Sequence, residues 1–221
     1  MPSVKIPRKS TDTDMTPFVD IAFLILSFFI MATKFKPPEA VEIKTPNSVL
    51  SQTLPDNNAV LISIDSLNKV YFTLLSDKDP GKFDEVLDAI NSSQNLGLGA
   101  LEMKNFKKTY MVGVPFAQLK QLLDIDPNDQ AKSIIQPGIP VMDSTNNQLT
   151  WWVRVTKDAF KGETLKWMIK GDGGSKYPAF EAVIDALKKN DEFKYNLVTS
   201  LENAPAGSEY ARMQREAQKK K

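Results

Sequence analysis

The apolar and polar positions of this chain fall into three regimes. The first, Met15–Thr33 (MTPFVDIAFLILSFFIMAT), is apolar with Asp20 as its one ionisable residue. At about 1.5 Å per helical residue it spans roughly 28 Å, close to the hydrocarbon thickness of a bilayer, and it predicts a transmembrane helix over 15–34. Turned at about 100° per residue, Thr16, Asp20 and Ser27 fall at about 0°, 40° and 20° on one narrow polar stripe. The second regime, 35–57, holds Pro37, Pro38, Pro46 and Pro55 among polar and β-branched residues. Proline fixes φ and removes donors, so this reads as an extended tether, with Val41, Glu42, Ile43 and Lys44 able to pair as a strand edge on a partner or a dimer mate.

The third regime, 58–203, alternates strand and helix periods. Val60–Ile64 and Val70–Leu74, joined by Asp65-Ser66-Leu67-Asn68, predict a hairpin. Asp79-Pro80 predicts a helix start, with Phe83, Val86, Leu87 and Ile90 on one face. Pro115–Leu123 is a second candidate helix. Leu149–Val155 (LTWWVRV) and Thr164–Ile169 (TLKWMI) look like strands. Pro178 opens a helix with Phe180, Val183, Ile184 and Leu187 on one side, and Phe193–Thr199 closes as a strand. This order predicts an α+β domain with helices packed on one face of a mixed β-sheet. Trp151, Trp152 and Trp167 read as core or sheet aromatics. Residues 204–221 form a polar tail ending in Lys219-Lys220-Lys221, and 1–14 a short polar tail before the helix.

A charged carboxylate at the centre of a membrane helix costs about 2.5–3.5 kcal/mol, which favours a functional acid at position 20. A plainer reading stays open. With Pro17 as first helical residue, Asp20 would lie in the first turn, where the helix dipole favours an anion. Lys5, Arg8 and Lys9 before Ile21–Met31 also resemble a signal peptide, but the apolar stretch is long for one and Ile30-Met31-Ala32 is a poor cleavage site. The same three cations place the N-terminus in the cytoplasm and the following domain outside it.

Composition narrows the chemistry. The chain of 221 residues has room for one span and one domain that buries its own core. A net charge of +1 argues against general nucleic-acid binding. Absence of histidine excludes Ser-His-Asp and Cys-His catalysis and ordinary zinc sites, and absence of cysteine removes thiol chemistry. No metal or cofactor site is expected. Asp124, Asp126 and Asp129 lack the closing glutamate of a Ca²⁺ loop and read as a solvated loop. Gly171-Asp172-Gly173-Gly174-Ser175-Lys176 lacks phosphate-loop spacing and reads as a strand-to-helix turn.

Asp14-Met15-Thr16-Pro17-Phe18-Val19-Asp20-Ile21, running into an apolar helix, resembles the signature of the ExbD/TolR biopolymer-transport proteins. Val41-Glu42-Ile43-Lys44-Thr45-Pro46 is similar to that family's post-membrane strand. Ile62-Ser63-Ile64-Asp65 with Lys69-Val70-Tyr71-Phe72 resembles its first hairpin, and Met168 to Asp172, then Tyr177, Val183, Leu187 and Leu197-Val198-Thr199, its closing strand, helix and strand. The chain looks ExbD-like with an enlarged periplasmic domain, the extra length falling at about 91–164. That stretch is either a partner-recognition module or an elaboration of the core.

The resemblance implies a single-pass subunit of a bacterial inner-membrane motor driven by the proton-motive force. A homodimer of the chain would sit in a ring of ExbB-like multi-span subunits, in contact with lipid, and act on a TonB-like or TolA-like protein. Asp20 would take up and release protons, with Thr16 and Ser27 lining its path. No bond is made or broken on a substrate, so the resemblance implies no enzyme. Two alternatives remain: a TolR-like envelope-maintenance subunit, and a membrane-anchored periplasmic binding or scaffold protein.

Overall fold

The computed structural model describes residues 15–32, 41–48, 55, 57–76, 78–133, 136–143 and 145–201. The chain divides into two compact units, Met1–Pro37 and Pro38–Lys221. The 1–14 and 204–221 tails lie outside the described residues.

Among the described residues the first unit carries one helix, α1 (Thr16–Ala32), with no buried residue. Its bulky side chains point to every side, so no face is reserved for a core. Among the described residues no helix is long and apolar enough to cross a membrane. The expected 15–34 span reaches beyond α1 at both ends, and its positions 33 and 34 are outside the described residues.

The second unit is an α+β fold. Strand β1 (Asn47–Ser48) is followed by β2 (Ala59–Ile64) and β3 (Val70–Leu75). Then come helices α2 (Gly81–Gln94), α3 (Ala100–Phe106), α4 (Phe116–Asp124), α5 (Pro127–Ser133) and α6 (Leu149–Ala159). Strand β4 (Lys166–Gly171), helix α7 (Tyr177–Lys188), β5 (Tyr195–Val198) and β6 (Ser200–Leu201) complete it. The main sheet has the order β3-β2-β4-β5. The β2–β3 pair is antiparallel, while β2–β4 and β4–β5 are parallel, so the sheet is mixed as expected. The β2–β3 hairpin turns where Asp65 accepts the amides of Leu67 and Lys69, at 2.9 and 2.8 Å, and Asn68 takes the left-handed φ of 64° that Asn tolerates well.

The core lies on one face of this sheet. Val60, Ile62, Ile64, Val70, Phe72, Leu74, Trp167 and Ile169 meet apolar stripes from α2, α4, α6 and α7. Period 2 in the strands and period 3.6 in the helices converge on that single layer. The outer edge of β3 is closed by Val112, whose amide and carbonyl exchange hydrogen bonds with Phe72 at 2.8 and 2.7 Å. Tyr71 is buried with its hydroxyl donating to Asp65 at 3.1 Å. Burial, then the neighbouring carboxylate, pushes the phenol well above its usual range.

Several expectations change. Leu149–Val155 is not a strand but the start of α6. Its buried residues Leu149, Trp152, Val153 and Thr156 follow i, i+3, i+4, i+7, and that helical stripe overrides the local strand propensity of Trp and Val. Trp152 stacks on Phe72 with ring centroids 4.9 Å apart. Trp151, on the opposite side of the turn, is 40 % exposed rather than core, with the Arg154 guanidinium 5.8 Å from its ring centroid. The stretch after Asp124 is not loop throughout: Asp126 accepts the Asn128 amide at 3.0 Å and opens α5. Within the single chain residues 41–44 form no strand, and the strand of this region is β1, after Pro46. The final strand splits into β5 and β6 around Thr199.

The 91–164 stretch supplies α3 to α6, and its Leu119, Leu122, Leu149, Trp152 and Val153 join the same core as the sheet.

Candidate functional site

The residues expected from the sequence to serve function fall into two groups, one in each unit. In α1, the carbonyl of Met15 accepts the first helical amide, from Val19 at 3.0 Å, so the helix starts at Thr16. No acidic residue lies in its first turn, which places Asp20 in the second. The dipole's influence is concentrated in the first turn, so the helix-start reading of Asp20 loses its main physical support.

Thr16 and Asp20 share one open recess with Met15, Val19 and Phe23. Ser27 is not part of it. Seven residues further along the helix is about 10 Å of rise, and the Ser27 hydroxyl donates to the Leu24 carbonyl at 2.9 Å. The structure therefore brings Thr16 to Asp20 and leaves Ser27 apart, half-buried against its own helix.

In the second unit, residues 41–48 lie on the domain. Ile43 is buried, while Glu42 and Lys44 are exposed. Lys44 donates its amide to Asp172 at 2.8 Å and accepts that of Gly173 at 2.9 Å. The hydroxyls of Thr45 and Ser200 share a hydrogen bond of 2.5 Å, and the Pro46 carbonyl accepts the Ser200 amide at 2.9 Å. Strand β1 then runs parallel to β6, Asn47 beside Ser200 and Ser48 beside Leu201.

Sequence reasoning read the 171–176 stretch only as a turn and missed Asp172 as the acceptor for this segment. Its other oxygen accepts the Gly174 amide at 2.8 Å. The amides of Gly174 and Lys44, with the Lys44 charge, hold the Asp172 carboxyl below its usual value of 3.8. A glycine-rich turn with an Asp before it is the signal for such a caged carboxylate, but nothing local names its partner 128 residues away. Among the described residues no group of acidic side chains could hold a metal ion.

An apolar helix with a single carboxylate, followed in sequence by a mixed-sheet α+β domain, defines a two-part class of protein. The family model for the biopolymer transport protein ExbD/TolR matches residues 7–202, and the chain belongs to that family. Members are non-enzymatic components of biopolymer-transport motors. No curated protein and no solved structure matches the chain.

Proposed function

We propose that this chain is the single-span subunit of a proton-motive-force-driven inner-membrane motor of the ExbB–ExbD type, energising TonB-dependent outer-membrane transport. The observation that carries the proposal is Asp20: one carboxylate in the second turn of a helix that is otherwise apolar on every side, with Thr16 in the same recess. The proposed span takes in α1 and its flanks over 15–34, with the N-terminus cytoplasmic and the domain periplasmic. Two copies within a ring of ExbB-like subunits would give the recess of Asp20 a wall and a path for protons.

The physics is suited to the task. Moving one elementary charge through 100 mV is worth about 2.3 kcal/mol, comparable with the cost of holding a charged Asp at the centre of a membrane helix. Protonation of Asp20 can therefore decide which facing of the helix is favoured. Thr16, which lines the same recess as Asp20, would hold water on the proton's path. Ser27, tied to Leu24, is a weaker relay. Motion of the helix would reach the domain through the chain that follows it, and the domain would pass it to a TonB-like protein.

The test is Asp20→Asn in the full chain. It should still co-purify with its multi-span partners while proton-dependent transport is lost. Full transport by this variant would reduce α1 to an anchor and leave the anchored-binder reading in place. Cross-complementation separates the two family roles: rescue of TonB-dependent uptake supports the ExbD-like role, and rescue of envelope integrity alone supports the TolR-like one.

A further inference from the structure

Helix α7 carries two stripes. One, made of Ala179, Val183, Ala186 and Leu187, is buried in the core. The other, Pro178, Glu181, Ala182 and Asp185 at i, i+3, i+4 and i+7, forms one wall of a recess of about 270 Å³. Val141, Met142 and Asn147, from the loop before α6, make the opposite wall. Lys189, at the far end of the stripe, is the only cation among the lining residues.

The loop wall is fixed by its own hydrogen bonds, so the recess is preformed. The Asn147 side chain donates to the Ala182 carbonyl at 3.0 Å and accepts the Leu149 amide at 3.1 Å. The Gln148 amide donates to the Pro140 carbonyl at 2.9 Å. Beside Met142, the Asp143 carboxylate accepts the hydroxyl and the amide of Thr145 at 2.6 and 2.9 Å, and these bonds hold it below the usual carboxylate range. Asp143, Glu181 and Asp185 thus set three carboxylates around an apolar surface of Val141, Pro178 and Ala182. None of the three has an ion-pair partner among the described residues. Two large apolar side chains also stand out here. Met142 is 64 % exposed, and Tyr177, one turn before Glu181 on α7, is 68 % exposed.

The recess is smaller than the roughly 300–1,000 Å³ of small-molecule sites and has the size of one long side chain. The acidic side chains among the described residues form no group that could hold a metal ion, so the carboxylates call for an organic cation. A Lys or Arg side chain meets both halves of the recess, with its stem along the apolar surface and its head at the carboxylates. Exposed Met and Tyr are side chains that protein interfaces favour. We propose that the recess between α7 and residues 141–147 docks a segment of a partner polypeptide in which a basic residue adjoins an apolar one. The proposal rests on the reading of this domain as the part that passes motion to a periplasmic partner, and it gives that transfer a surface.

The probe is a dansyl-labelled Gly-Leu-Arg-Gly peptide, read by anisotropy against the full-length chain in nanodiscs of neutral lipid, with empty discs subtracted and Gly-Leu-Glu-Gly as control. No proton gradient is involved, so failure here leaves the reading of Asp20 standing. The arginine peptide should bind about tenfold more tightly than its control, and less tightly as salt rises. Glu181→Gln with Asp185→Asn should weaken it about tenfold, and Ala182→Leu, which fills the apolar side, by a similar factor. Asp88→Asn, at an exposed acid on α2, should leave it unchanged. If Ala182→Leu lowers the unfolding temperature, Met142→Ser at an exposed position takes its place. Equal binding of the two peptides overturns the proposal. So does a loss confined to the acid variants, which would reduce the site to general attraction between opposite charges. Tighter binding once residues 204–221 are removed, or weaker binding as the chain is concentrated, would assign the recess to the chain's own tail or to a second copy and overturn it as well.

Discussion

In the domain, the large apolar side chains of the core are out of reach of water: Phe72, Leu87, Leu122, Trp152 and Trp167 are all fully buried. In α1 the same residue types do the opposite, with Phe18 67 %, Phe23 68 % and Phe28 68 % exposed. The difference lies in composition and patterning together: α1 is apolar almost throughout, while the domain helices carry many polar residues on the side away from the sheet. Helices α2, α4, α6 and α7 each confine apolar residues to a stripe that meets the sheet, while α1 is apolar on all sides and has no stripe to match.

The comparison is broken most severely at Trp152. Trp152→Ala removes the ring that stacks on Phe72 and Phe106 and lies tilted against Phe116, and should cost the domain about 3–5 kcal/mol, read as a lowered denaturant midpoint. The same measurement on Leu24→Ala should show a change under about 0.5 kcal/mol in the domain's own transition, because α1 contributes nothing to that core. Equal shifts would contradict the separation of the two units.

Gly113→Ala probes overpacking at the sheet's closed edge. A Cβ there would fall 2.1 Å from Tyr71 Cδ1 and 2.9 Å from Gln136 Oε1, so a loss of about 1–3 kcal/mol is expected, with Tyr71 displaced from Asp65. Thermal unfolding beside the tyrosine absorbance titration would read both effects.

Much of this division was legible in the sequence. The hairpin, α2 and α7 announce themselves through period and turn chemistry at short range, and Asp20 through its apolar context. Leu149–Val155 misled because Trp-Trp-Val is strand-like locally, whereas burial against Phe72 selects every third or fourth residue. The docking of 41–48 was hidden for a different reason. Its anchor is a loop carboxylate far along the chain, and no local pattern in Val41–Lys44 points to it.

Smaller effects sharpen the picture at the joint between the regions. Asp172 is held below 3.8 when the segment is docked, so docking is favoured in full above that value and lost as pH falls through the lowered one. A disulfide between Thr45→Cys and Ser200→Cys, where the native hydroxyls are in contact, should therefore form at a pH-independent thiolate-corrected rate near neutrality and slow only below about pH 4. Ser27→Ala should be the mildest change, with activity within about twofold of the parent, because its hydroxyl already serves the Leu24 carbonyl and water can replace it.

The most direct measurement of the central claim is proton-dependent transport by Asp20→Asn and Asp20→Glu beside the parent chain, with recovery of the multi-span partners measured in the same cells. The account predicts normal assembly for both, no energised transport for Asn and partial transport for Glu, which keeps a titratable group displaced by one methylene. Parent-level transport by Asp20→Asn with the partners bound would contradict it.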